Sequence, residues 1–147
     1  MPSPSEDQHQ ILWERRQAEL WERLFQVTQD VIALAETMEN GAGTAVVKQE
    51  MIKSAVSIGK ELVRATAADD RRDFAEAVHE AKLKAVETDY WLRLIYMLQQ
   101  REHVQHDLSS IISQYAAIID LLQKMVRHAR DERDIVSRHV KGPKVVL

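Results

Sequence analysis

Apolar residues recur at three- and four-residue steps along most of the chain, and three short breaks interrupt the pattern. In the first segment the stripe is Trp13, Leu20, Leu24, Val27, Val31, Leu34 and Met38, the seam spacing of helices packed side by side. The second carries Val47, Met51, Ala55, Ile58, Leu62 and Ala65 on one face, with a neighbouring stripe of Ile52, Val56, Gly59 and Val63 that widens the surface to be buried. The third presents Phe74, Val78, Ala81, Ala85, Thr88, Leu92 and Ile95. The fourth holds Leu108, Ile111, Ile112, Tyr115, Ile118, Ile119, Leu122, Met125, Val126 and Ala129. Helical periodicity sustained over four long segments predicts an all-α fold, an antiparallel up-down four-helix bundle with long helices.

Segment one runs to about Glu39 and stops at Asn40-Gly41-Ala42-Gly43, where a glycine can close the helix in the left-handed conformation and Thr44 offers a hydroxyl N-cap. Segment two ends near Ala67. After Ala68-Asp69, Asp70 with Asp73 three residues on has the form of a capping box with Asp in place of Glu. The small residues Ala77, Ala81 and Ala85 allow close approach, so segments two and three should form a tight hairpin. The third break, between Gln99 and His106, contains no Gly or Pro. It is inferred from length, because one helix from Asp70 to His139 would run to roughly 70 residues, beyond the range of globular helices. Segment four should extend from about His106 to His139, with Gly142-Pro143 as its stop. The expected organisation is a flexible lead over residues 1–8, one bundle domain over 9–141 and a tail over 142–147.

Composition narrows the class. The 147 residues are 45% hydrophobic and 29% charged, enough for one domain with a real core. Only 4 Gly and 3 Pro leave too few turns for an all-β fold. The absence of Cys removes disulfides and thiolate metal sites, as suits a reducing compartment. Met-Pro-Ser-Pro-Ser-Glu-Asp at the start lacks signal-peptide character, and no apolar run reaches the roughly 18 residues needed to span a bilayer. The cytoplasm, without a membrane partner, is the expected location.

Charge is unevenly spread. Residues 1–123 hold 13 Lys and Arg against 20 Asp and Glu, whereas residues 124–147 hold 7 against 3. Lys124, Arg127, Arg130 and Arg133 recur every third position, with Arg138, Lys141 and Lys144 beyond, and form a slanting ribbon suited to phosphates. Arg71 and Arg72 would extend that ribbon if the fold brings them near it. These residues, Lys144 apart, are the candidate nucleic-acid contacts. Asp131, Glu132 and Asp134 interrupt the ribbon, and cations in the last turns of a helix also complement its dipole without any partner. No pattern supports reading of base sequence.

The apolar positions of segment four cover more than one face. Ile111, Ile118, Ile119 and Met125 are therefore candidate contacts of a homo-oligomer, the alternative being a central helix that buries two sides within one chain.

Candidate chemistry is sparse. Glu76-Ala77-Val78-His79 has the Glu-x-x-His spacing of di-iron bundles but occurs once, where such a site needs two copies and two further glutamates. His103 and His106 lie at the expected third turn, where polar residues are ordinary. Glu19/Glu22 and Glu36/Glu39 have the acid spacing of helical magnesium-dependent nucleotide pyrophosphohydrolases. Their required partners, Asp70/Asp73 or Asp131/Asp134, sit near segment ends. No catalytic residue, metal ligand, cofactor or small-molecule substrate is assigned, and a non-enzymatic protein is expected.

The stretch Lys53-Ser54-Ala55-Val56-Ser57-Ile58, followed by Arg71-Arg72-Asp73-Phe74, Ala81 and Glu87-Thr88-Asp89, resembles the bacterial four-helix-bundle proteins first associated with intervening sequences in 23S ribosomal RNA genes. The likeness covers segments two and three, and the outer segments through length and pattern. Where that family usually has Pro-Ser-Asn-Ile-Ala-Glu-Gly, this chain reads Gly59-Lys60-Glu61-Leu62-Val63-Arg64-Ala65. The resemblance implies a ring-like homopentamer acting as a scaffold or accessory binding protein. One branch of the family, the accessory variability protein of diversity-generating retroelements, binds nucleic acid and a reverse transcriptase, which adds RNA, DNA and that enzyme as implied partners. Members of that branch are strongly basic, whereas the net charge here is -3.

Overall fold

Local sequence sets where each helix starts and stops. The structure, a computed structural model, describes residues 4–39 and 41–135, with side chains described over 14–39 and 41–131. Four helices fill this range: α1 (Pro4–Thr37), α2 (Ala42–Thr66), α3 (Arg71–Leu98) and α4 (Glu102–Ile135). No strand occurs among the described residues. Helix α1 begins inside the stretch expected as a lead. Proline is tolerated at a first helical position because the N–H it lacks would have no intrahelical acceptor.

Asp70 caps α3 as the sequence indicates. Its backbone is extended, and its side-chain oxygen accepts from the Asp73 N–H at 2.8 Å. The first break is built differently from expectation. Gly41 is the N-cap of α2 in an extended conformation, φ -79° and ψ 160°, with no side-chain cap bond, and no described glycine has a positive φ. Thr44 lies inside the first turn of α2. At the end of α1, the Lys48 ammonium donates to the Met38 carbonyl at 3.1 Å, so a cation from the next helix meets an orphan acceptor without a glycine turn.

The third break is real and short. Helix α3 ends at Leu98 and α4 starts at Glu102. The Gln105 side chain donates back to the Gln99 carbonyl at 2.7 Å, supplying from a side chain what Gly or Pro supplies elsewhere. Arg101 in this turn pairs with Glu39 in the first turn, which fixes both turns at one end of the bundle. The α2–α3 turn lies at the other. The proposed stop at Gly142-Pro143 and the tail fall outside the described residues.

Around the bundle axis the order is α1, α2, α3, α4, each helix touching its sequence neighbours, and α4 touching α1. Pairs α2–α3 and α3–α4 pack most closely and α1 more loosely. The alanines explain the first pair, since Ala77, Ala81 and Ala85 are all buried. The core is continuous from Leu20 and Trp21 through Ile58, Phe74, Leu92 and Tyr115 to Ala129. Every described member of the four predicted stripes is at least partly buried, and burial of this apolar surface is the main stabilising term. Ser54 and Thr88 bring polar groups into that core and meet there at 2.8 Å.

One expectation is corrected by this packing. Ile111, Ile118 and Met125 are buried within the single chain, so they are core and not contact residues for a second copy; Ile119 is half-buried. Helix α4 lies between α1 and α3 and uses its broad apolar surface to pack against both.

Candidate functional site

With the core filled by one chain, the informative surface is the apolar area left uncovered. On α2 the flank facing α1 is marked by Gly59, where an added Cβ would lie 4.0 Å from Leu24 Cδ2. The stripe Ile52, Val56, Gly59 and Val63 follows this flank. Ile52 is half-buried, while Val56 and Val63 remain 47% and 53% exposed. The stripe that widens α2 is thus left partly open to solvent.

Helix α1 continues the same surface. Its opposite flank faces α4, where Asp30, Ala33, Leu34 and Thr37 line a cleft with Asp107, Ser110, Ile111 and Gln114. On the α2 side lie Trp21, Phe25 and the half-buried Ile32. Phe25 is 57% exposed and stacks on buried Trp21 with ring centroids 5.6 Å apart. Phe25, Ile32, Ile52, Val56 and Val63 therefore form an apolar face spanning α1 and α2.

A second face lies on the other side of the bundle. The Lys82 ammonium donates to the Gln123 amide oxygen, which marks the flank of α3 that faces α4. Along it run His79, Leu83, Val86, Tyr90 and Met97, a spacing of four, three, four and seven that keeps them on one side of the helix. Leu83, Val86, Tyr90 and Met97 are all exposed, Tyr90 to 58%. From α4, Ile112 and Ile119 occupy the matching flank, seven apart and both half-buried. Because α1–α2 and α3–α4 are opposite sides of the four-helix square, the two apolar faces point away from each other. Sequence reasoning missed this face. Its signal was present in the second apolar period of segment three, hidden beside the stronger core stripe.

The basic candidates sort by position. Antiparallel packing places the first turn of α3, with Arg71 and Arg72, at the same end of the bundle as Lys124, Arg127 and Arg130 of α4. Arg72 pairs with Glu76 at 3.4 Å and Lys124 with Asp120 at 2.9 Å, both on the surface. Arg127 and Arg130 are exposed, and Arg71 is half-buried, with its pKa lowered by desolvation. Exposed Asp131 dilutes the positive field. Arg133, Arg138 and Lys141 lie outside the described side chains.

The acids and histidines do not converge. Glu19 pairs with Arg23, Glu39 with Arg101, Glu76 with Arg72, and Asp70 caps α3. His103 and His106 are exposed at the start of α4. Among the described residues no group of three or more His, Cys, Asp or Glu is placed to hold a metal ion. Among the described residues the one buried titratable hydroxyl is Tyr115, which has no hydrogen-bond partner and whose pKa is raised by burial and by the charge of Asp30. No described helix is long and apolar enough to cross a membrane.

Fold and surface together define an antiparallel four-helix bundle with two uncovered apolar sides. The family profile of the 23S rRNA-intervening sequence proteins matches residues 16–124, and the chain belongs to that family. A crystal structure of a protein with unknown function from the S23 ribosomal protein family of Bacteroides thetaiotaomicron VPI-5482 shares the fold. It matches with a TM-score of 0.67 at 23% identity, over 76% of this chain and 98% of that one. No curated protein matches the sequence.

Proposed function

We propose that the chain is a non-enzymatic scaffold that self-associates side by side, the α1–α2 face of one copy covering the α3–α4 face of the next. The observation that carries this reading is the pair of unlike apolar faces on opposite sides of one bundle. Unlike faces make a heterologous contact, which repeats around an axis and closes into a ring when the rotation permits. A ring also covers every such face, whereas a two-fold dimer built on one face would leave the other wet. The ring-like homopentamers of similar proteins make five copies the expected number. The test uses two variants with charges on exposed positions, Val56→Asp and Leu83→Asp. Each should fold but remain a monomer, and a mixture of the two should form a one-to-one dimer through the single intact pair of faces. Assembly unaffected by either substitution would refute the reading.

A second reading is favoured by one observation, the clustering of Arg71 and Arg72 with Arg127 and Arg130 at one end of the bundle. That end would contact the phosphate backbone of RNA or DNA as an accessory surface. Binding should weaken steeply with salt, and Arg127→Ala with Arg130→Ala should reduce the salt slope by about two. Salt-independent binding, or none, removes it.

A further inference from the structure

His79 is the one residue able to carry a positive charge in the stripe His79, Leu83, Val86, Tyr90 and Met97. It is half-buried, and its Nδ1 is enclosed without a hydrogen-bond partner. We infer that His79 makes the association of copies through the α3–α4 face sensitive to pH, the neutral imidazole permitting contact and the imidazolium opposing it. This inference rests on the self-association proposed above.

The physical basis is desolvation. An imidazole is the side chain that changes charge between about pH 5 and 8. Neutral, it presents one N–H and one acceptor and is tolerated in an apolar contact. Protonated, it carries a full charge and a second N–H, and the enclosed Nδ1 has no acceptor to receive it. A second copy seated over this face would remove the remaining water, so seating requires the proton to leave.

The surroundings offer little compensation. On α3 the nearest charges are Glu76, already paired with Arg72, then Glu80 and Lys82, the last bonded to Gln123. Helix α4 contributes at this level Asp120, paired with Lys124, and Arg127. Helix α2 packs on the opposite flank of α3, where Ser54 meets Thr88. The neighbouring cations further disfavour a third positive charge; Glu76 and Asp120 are engaged by Arg72 and Lys124, and Glu80, one residue on, lies about a quarter turn round the helix from His79.

The sign follows. Association that releases a proton is strongest at high pH and weakens as pH falls, by up to about tenfold in Kd per pH unit per contact once the free imidazole is protonated. The other histidines with described side chains lie elsewhere: His103 and His106 at the start of α4, and His128 near its end.

The experiment is sedimentation of the full chain at about pH 8 and about pH 5.5, for wild type and for His79→Gln, which keeps a polar side chain of similar reach and cannot titrate. Wild type should assemble at the higher pH and show at least about tenfold weaker association at the lower. His79→Gln should assemble at both. Wild type that assembles equally at both values overturns the role of His79 and leaves self-association standing. His79→Gln that dissociates in acid like wild type, or fails to assemble at the higher pH, likewise removes His79 as the switch. A wild-type monomer at the higher pH overturns both readings.

Discussion

The Thr88 hydroxyl on α3 donates to the Ser54 hydroxyl on α2 at 2.8 Å, inside the buried core, and the Ser54 hydroxyl donates in turn to the Met51 carbonyl at 3.0 Å. Thr88 also lies 2.8 Å from the Lys84 carbonyl, an alternative acceptor for its single proton. Both hydroxyls are thus satisfied without water. The pair ties α2 to α3 at a fixed register, because a slip of either helix would strand a buried polar group.

Thr88→Val should destabilise the chain by about 1 kcal/mol, since it removes one buried hydrogen bond and keeps the shape. Combined with Ser54→Ala, the loss should be smaller than the sum of the single losses, as expected for partners in one network. Urea denaturation of the four variants reads this directly, and strict additivity would contradict the coupling.

Asp70→Ala should lower stability by about 1 kcal/mol through loss of the α3 cap, while Asp70→Asn should retain most of it. Asp70→Ser is a further acceptable cap. Equal stability of the Ala and Asn variants in thermal denaturation would show that the bond to the Asp73 N–H contributes little.

Tyr115 points the other way. Its hydroxyl is buried without a partner, so Tyr115→Phe should leave stability unchanged or raise it by about 1 kcal/mol. The pH dependence has a defined sign. The folded pKa is raised, so the native state holds its proton where the unfolded chain has lost it. Stability is then full below the unfolded tyrosine value of about 10 and falls above it, by up to about 1.4 kcal/mol per pH unit. Tyr115→Phe should flatten that alkaline slope, and an unchanged slope would rule Tyr115 out as its source.

Much of the fold was legible because the core stripe repeats without a fault. Leu24, Ile58, Leu92 and Leu122 each sit on the strongest apolar face of their helix, and all four are buried. The third turn was legible only through length, since its closure depends on Gln105 reaching back to Gln99, a bond no composition rule announces. The faces were harder to read. Ile111 and Met125 are as apolar as Leu83 and Val86, and sequence cannot say which of two apolar sides a helix turns inward until its neighbours are placed. Packing decided it, because the four helices turn one stripe each toward the shared core and leave Val56, Val63, Leu83 and Val86 on the outside of their helix pairs. The basic end was visible as charge, yet its cohesion with Arg71 and Arg72 required the antiparallel topology.

The central claim, that two opposite apolar faces hold copies together, is tested most directly by sedimentation equilibrium of the full chain at micromolar concentration and neutral to mildly alkaline pH. The expected result is a single species of about five times the 16.9 kDa chain mass. A species of one chain mass across the concentration range would contradict the claim.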